Sequence, residues 1–125
     1  MPDNQEKTTV DTFYVVDNSQ RNVTLEIFIN APGQTCTSTI KLDDTVKEDG
    51  HNGSYNEKPL DTNKNLDEKT LFIATTITNT AGQKAKAEVT IRLKGGQSPS
   101  EDLLFKTHSV GETITYTYIC KFFKA

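Results

Sequence analysis

The chain predicts an all-β fold: a single antiparallel β-sandwich of about seven strands. Three observations carry this. Several segments alternate apolar and polar residues with a period of two, the repeat of a half-buried strand. Pro, Gly, Asn and Gln punctuate them at short intervals. Threonine, stiff at χ1 and suited to a pleated surface, recurs through the same segments, with no Trp and one Met.

In chain order, residues 1–9 are polar, charged and aperiodic, and read as a disordered lead-in to a single domain over residues 10–125. Residues 12–16 hold Phe13, Tyr14, Val15 and Val16, apolar on both faces, as an edge or crossover strand would be. Residues 22–30 place Val23, Leu25, Ile27 and Ile29 on one face, while Phe28 interrupts the polar one. Ala31-Pro32-Gly33-Gln34 suits a type II turn, because Pro presets φ and Gly tolerates its positive value. Residues 35–42 return with Cys36, Ser38, Ile40 and Leu42 on one face and Thr35, Thr37, Thr39 and Lys41 on the other.

Residues 43–69 are rich in Asp, Asn, Lys and Gly, and read as a long polar loop, either functional, a mobile insertion or short edge strands around Tyr55. The alternation resumes over residues 70–79. It is clearest over residues 84–94, where Ala85, Ala87, Val89, Ile91 and Leu93 form one apolar row. Residues 102–105 suit a short strand or one helical turn, and residues 113–124 a central strand carrying Ile114, Tyr116, Tyr118, Cys120 and Phe122. The strand count resembles immunoglobulin-like or jelly-roll-like sandwiches in architecture alone, since the Trp and the Cys–Tyr arrangement of immunoglobulin domains are missing.

Composition excludes some functions. The net charge is −3, and the densest basic row, Lys84, Lys86, Arg92 and Lys94, is broken by Glu88, so no phosphate-binding stripe forms and nucleic acid is not an expected partner. No apolar run approaches the roughly 18 residues of a membrane helix, so no transmembrane segment is expected. The Thr-rich, weakly hydrophobic composition leans to an extracytoplasmic setting with any leader removed. The polar N-terminus, which lacks the apolar centre of a signal peptide, leans to the cytoplasm.

Candidate chemistry is sparse. Cys36 and Cys120 both fall on apolar faces and form either a disulfide or two buried thiols. His51 and His108 sit in polar runs, with no nucleophile elbow near them, and are expected to be solvated. Asp61, Asn63, Asn65, Asp67 and Glu68 place oxygens at near-alternate positions, as a Ca²⁺ loop does. That pattern then fails, because Leu66 stands where the sharp-turn Gly belongs and Phe72 where the bidentate Glu belongs. The sequons at Asn22 and Asn52 carry little information in a chain rich in Asn and Thr. Tyr14, Phe28, Tyr55 and Phe123 are candidates for a contact patch, and Tyr55, His51, Phe28 and Tyr14 are the four candidate ligand-contact residues.

The expected function is a non-catalytic binding or structural module meeting a protein or glycan, with no cofactor required. A carbohydrate-binding module with Ca²⁺ support and a small hydrolase or lyase using a loop histidine are the alternatives.

Overall fold

The computed structural model describes residues 6–124. Strand accounts for 69% of the described residues and helix for 3%, so the all-β reading holds. The elements are β1 (Thr9–Val16), β2 (Asn22–Asn30), β3 (Thr35–Leu42), β4 (Thr45–Asn52), β5 (Tyr55–Thr62), α1 (Asn63–Leu66), β6 (Thr70–Thr78), β7 (Ala85–Lys94), β8 (Ser100–His108) and β9 (Thr113–Lys124). One sheet has the order β1-β9-β6-β3-β4 and the other β5-β2-β7-β8.

The two sheets pack in a sandwich-like arrangement because each must bury one face. Leu25, Ile27, Val89, Ile91, Leu93 and Leu104 from the four-stranded sheet join Ile40, Leu71, Ile73, Ile77, Tyr116, Tyr118 and Phe122 from the five-stranded sheet in one water-free cluster. The period-two rows of the sequence are this core. The strand over residues 84–94 is central, paired on both sides, and β9 is central too, between β1 and β6.

The two ends of the sandwich are closed by buried asparagines flanking β6. At one end Asn63, fully buried, donates from Nδ2 to the carbonyls of Arg21 and Gly95 (2.8 Å each) and accepts from Asp17 N–H at 3.2 Å. At the other end Asn79 donates to the carbonyls of Gln83, His108 and Ser109 and accepts from Ala81 N–H at 2.9 Å. Each amide therefore satisfies loop backbone that has no ladder partner, which buried polar groups require. At the Asn63 end the backbone also passes tightly over Tyr14. A Cβ on Gly96 would lie 2.5 Å from the Tyr14 ring, and the Gly96 N–H donates to the Tyr14 hydroxyl at 3.0 Å.

Several expectations change. Among the described residues there are nine strands rather than about seven, because residues 43–69 take the edge-strand alternative, forming β4, β5 and the one-turn helix α1 in place of a long loop. Their polar composition follows from position: β4 and β5 are both edge strands, and an edge shows most of its side chains to water. Register shifts in the β3–β4 and β2–β5 pairings blur the alternation that would have revealed them. The sandwich is not wholly antiparallel, since β1 runs parallel to β9. Residues 102–105 lie inside the nine-residue strand β8.

The lead-in is ordered where it is described. Lys7 pairs with Phe105 of β8, Thr8 accepts from Thr117 N–H of β9, and Thr9 begins β1. The reading of residues 1–5 lies outside the described residues. No helix among the described residues is long and apolar enough to cross a membrane.

Replacing Asn79 with Ala is expected to destabilise the protein by about 2–4 kcal/mol, because several buried carbonyls lose their donor at once. Asn63→Ala should behave alike. Urea unfolding, with the midpoint lowered and the slope unchanged, checks both.

Candidate functional site

The structure brings two of the four predicted ligand-contact residues together. β4 belongs to one sheet and β5 to the other, and only Gly53 and Ser54 join them, with Gly53 at φ +76°. The chain thus turns a corner along one open side of the sandwich. The His51 ring meets the Tyr55 ring edge-on at 4.6 Å between centroids, and its Nε2 is 2.9 Å from the Ser54 carbonyl. The Tyr55 hydroxyl donates to Glu48 at 3.1 Å, a bond from one sheet to the other. The Lys58 ammonium stands 5.7 Å from the Tyr55 ring centre.

Burial pushes the Tyr55 phenol above its ordinary range, and the phenol raises Lys58 in turn. Glu48, His51, Ser54, Tyr55 and Lys58 line a shallow groove of about 430 Å³. Tyr55 itself is buried, so its ring seals the side of the core and offers little face for stacking.

The other two lie elsewhere. Phe28, 63% exposed, stands on the outer face of the four-stranded sheet beside a groove it shares with Asn30, Glu88 and Thr90. Tyr14 is a core residue packed edge-on against Phe122 at 6.1 Å, so it cannot take part in a contact patch. Phe123 packs against exposed Phe13 on the outer face of the five-stranded sheet, with ring centres 5.4 Å apart. The four aromatics therefore form no single patch.

The five candidate Ca²⁺ ligands are held in different ways. Asn63 is spent on backbone at the end of the core, as described above. Asp61 accepts from Thr62 N–H and from Asn65 Nδ2. Asp67 accepts from Lys124 N–H at 2.9 Å. Glu68 is exposed, at φ +71°. No group of three or more His, Cys, Asp or Glu converges among the described residues.

His108 departs from its expected solvated position. It closes β8, fully buried, with Nε2 at 2.6 Å from the Tyr116 hydroxyl and its ring stacked on Tyr116. Its Nδ1 is buried without a partner. Burial lowers its pKa, and Lys106 acts in the same direction against Glu112 and Glu6.

Cys36 and Cys120 are free thiols. They stand across β6 from Ile77 and Leu71, so about 20 Å of strand separates them, far beyond the roughly 7 Å a bridge allows. Burial pushes the Cys120 thiol up to about 12.

The outer faces of the two sheets differ in a way the sequence did not announce. On the four-stranded sheet, Arg92 bridges Glu26 and Glu101, Lys94 pairs with Glu57, and Lys86 pairs with Glu88. The basic row of β7 is thus largely neutralised. The outer face of the five-stranded sheet shows no ion pair among the described residues. Its rows run Thr35–Thr78–Thr113 and Thr37–Thr76–Thr115, then Thr39–Ala74–Thr117–Thr9. Thr76 bonds Thr115, and Thr78 bonds Thr113, through their hydroxyls. Further along, Phe72, Ile119, Phe13, Val15 and Phe123 take over, interrupted by Lys41, Asp11 and Lys121. Register alone could have found this surface, because the threonines recur at alternate positions of three strands that become neighbours only in the fold.

Two measurements test these placements. In the folded protein His108 stays neutral below the ordinary histidine range of about 6.5, while the unfolded chain takes up a proton there. Its contribution to stability is therefore complete above about pH 6.5 and falls as pH drops through the lower folded value. Denaturant midpoints across that window should decline for the native protein, and His108→Gln should be less stable but flatter. In denatured, unreduced protein, Ellman titration should count two thiols, and in the native state Cys120 should be unreactive.

The chain matches no protein-family model, no curated protein and no solved structure.

Proposed function

We propose that this domain is a non-catalytic binding module that meets a protein partner through the outer face of its five-stranded sheet. One observation carries the reading: the ion pairs that join strands lie on the four-stranded sheet, and the other outer face is a ladder of threonines running into half-buried Phe72, Ile119, Val15 and Phe123 and exposed Phe13. Interface centres are depleted in charge and enriched in aromatics, whereas a face that only meets water is ordinarily laced with Lys and Glu. The cross-strand threonine bonds hold rotamers in place, so little side-chain freedom is lost on contact. The only histidine on an open groove, His51, shares it with Tyr55 and two carboxylates but with no serine or cysteine nucleophile activated by it, which supports a binding role over hydrolysis.

For the finer architecture the immunoglobulin-like alternative is the better supported. β3, β6 and β9 stand in the neighbour order of the C, F and G strands of that fold. The departure is that β7 and β8, both in the four-stranded sheet, come between β6 and β9 along the chain.

A photo-crosslinking residue placed at Thr115 is expected to capture a protein of discrete mass from an extract of the source cells. The same residue at Thr90, on the other sheet, should capture none. Thr76→Arg in the Thr115 background should abolish the adduct. Equal labelling at both positions, or none at either, would rule the face out.

A further inference from the structure

We infer that two copies of this chain associate by pairing their β1 strands antiparallel, joining the five-stranded sheets into one continuous sheet. The ground is a comparison of the four sheet edges. An open edge invites strand addition unless something blunts it, such as charge, Pro, a bulge or a covering segment.

Three edges are blunted. β4 carries Lys47, Glu48 and Asp49 in succession, and its pairing with β3 slips register twice. β5 contains Pro59 between Lys58 and the next residues, and its pairing with β2 also slips. β8 is covered at Phe105 by Lys7, and it turns Asp102 inward across from Ile91.

β1 is covered only at its two ends, where Phe105 pairs with Lys7 just before the strand and Gln97 N–H donates to the Val15 carbonyl. Over Thr9–Val16 it holds one charge, Asp11, with no Pro and no Gly, and its register against β9 is unbroken. The direction of its free backbone groups follows from parallel pairing, in which alternate residues point to the neighbour. Thr8 bonds toward β9, whereas Lys7 and Val15 bond away from it, to Phe105 and Gln97. Thr9, Asp11 and Phe13 therefore aim both N–H and C=O at the open side, where they make no hydrogen bond among the described residues. Phe13, at 66% exposure, projects beside them.

A second copy fits this edge better than an arbitrary strand, because a two-fold axis makes the edge its own complement. With the axis at Thr12, Asp11 of each copy lies opposite Phe13 of the other, and the two residues exchange both backbone bonds. Lys121 is the neighbour of Phe13 across β1 and β9. The axis therefore sets each Asp11 in the row of the other copy's Lys121, opposite charges on one face, and it draws the two Phe13–Phe123 pairs toward each other.

Sedimentation equilibrium of the whole chain over a range of concentrations tests this. The native protein should show twice the 13.9 kDa of the chain. Asp11→Pro removes an N–H that faces the open side and leaves the β9 ladder intact. Phe13→Lys leaves the backbone untouched and adds a charge to the edge. Both should halve the mass while the far-ultraviolet spectrum stays that of the native sheet, and Thr90→Lys on the other sheet should leave the dimer in place. A native protein that is monomeric up to its solubility limit overturns the inference, as does a dimer indifferent to both β1 variants. The Thr115 crosslink is read separately: a hetero-adduct without a dimer, or a dimer without one, separates the failure of either reading.

Discussion

The structure depends on excluding water from the space between two sheets without stranding backbone polar groups at the ends of that space. The apolar rows supply the attraction, which scales with the area hidden from solvent. They cannot close the ends, where strands give way to loops and the ladders stop. Asn63 and Asn79 do that, one before β6 and one after it. An asparagine amide has two donors and an acceptor on a short stem, so it replaces ladder bonds for loops arriving from different directions. Without them, each end would have to admit water or leave carbonyls unpaired, and the cost would fall on the same core that drives folding.

The two sides of the sandwich are closed by other means. On one side the chain leaves the five-stranded sheet at β4, turns at Gly53, and enters the four-stranded sheet at β5, with the Tyr55–Glu48 bond spanning the gap. On the other side residues 6–8 pass from β8 to β9 before β1 begins. There Glu6 accepts from Thr107 N–H and from Lys106, the contacts that hold its carboxyl below the usual range. Both closures are polar and peripheral. That is why His51, Glu48, Lys58 and Glu6 stand at positions that a reading by composition takes for loop.

How much of this was legible in the sequence depended on burial. Strands buried on one face announced themselves. The row from Ala85 to Leu93 and the row from Ile114 to Phe122 were both readable, because alternation is the signature of a one-sided surface. The edge strands β4 and β5 could be offered only as one alternative to a loop, since bulges break the period and water tolerates any polar residue along them. His108 was misread because its neighbours Lys106, Thr107 and Ser109 are polar, while its own side chain points inward at the end of β8. Asn63 looked like an oxygen ligand and is a backbone donor. Residue type was right in each case; which way the side chain faced was not, and that is decided by partners far along the chain. The threonine ladder belongs to the same class, invisible until β3, β6 and β9 are laid side by side.

The parallel pairing of β1 with β9 has a mechanical consequence. The first and last strands lie side by side and point the same way, so tension applied at Lys7 and Lys124 pulls them past each other along their length. Under such a load the row of hydrogen bonds between them is sheared together, whereas an antiparallel pair held at a common end would peel open one bond at a time. The domain is therefore built to resist stretching between Lys7 and Lys124, and once the Lys7–Phe105 bridge gives way the β1–β9 ladder bears the load.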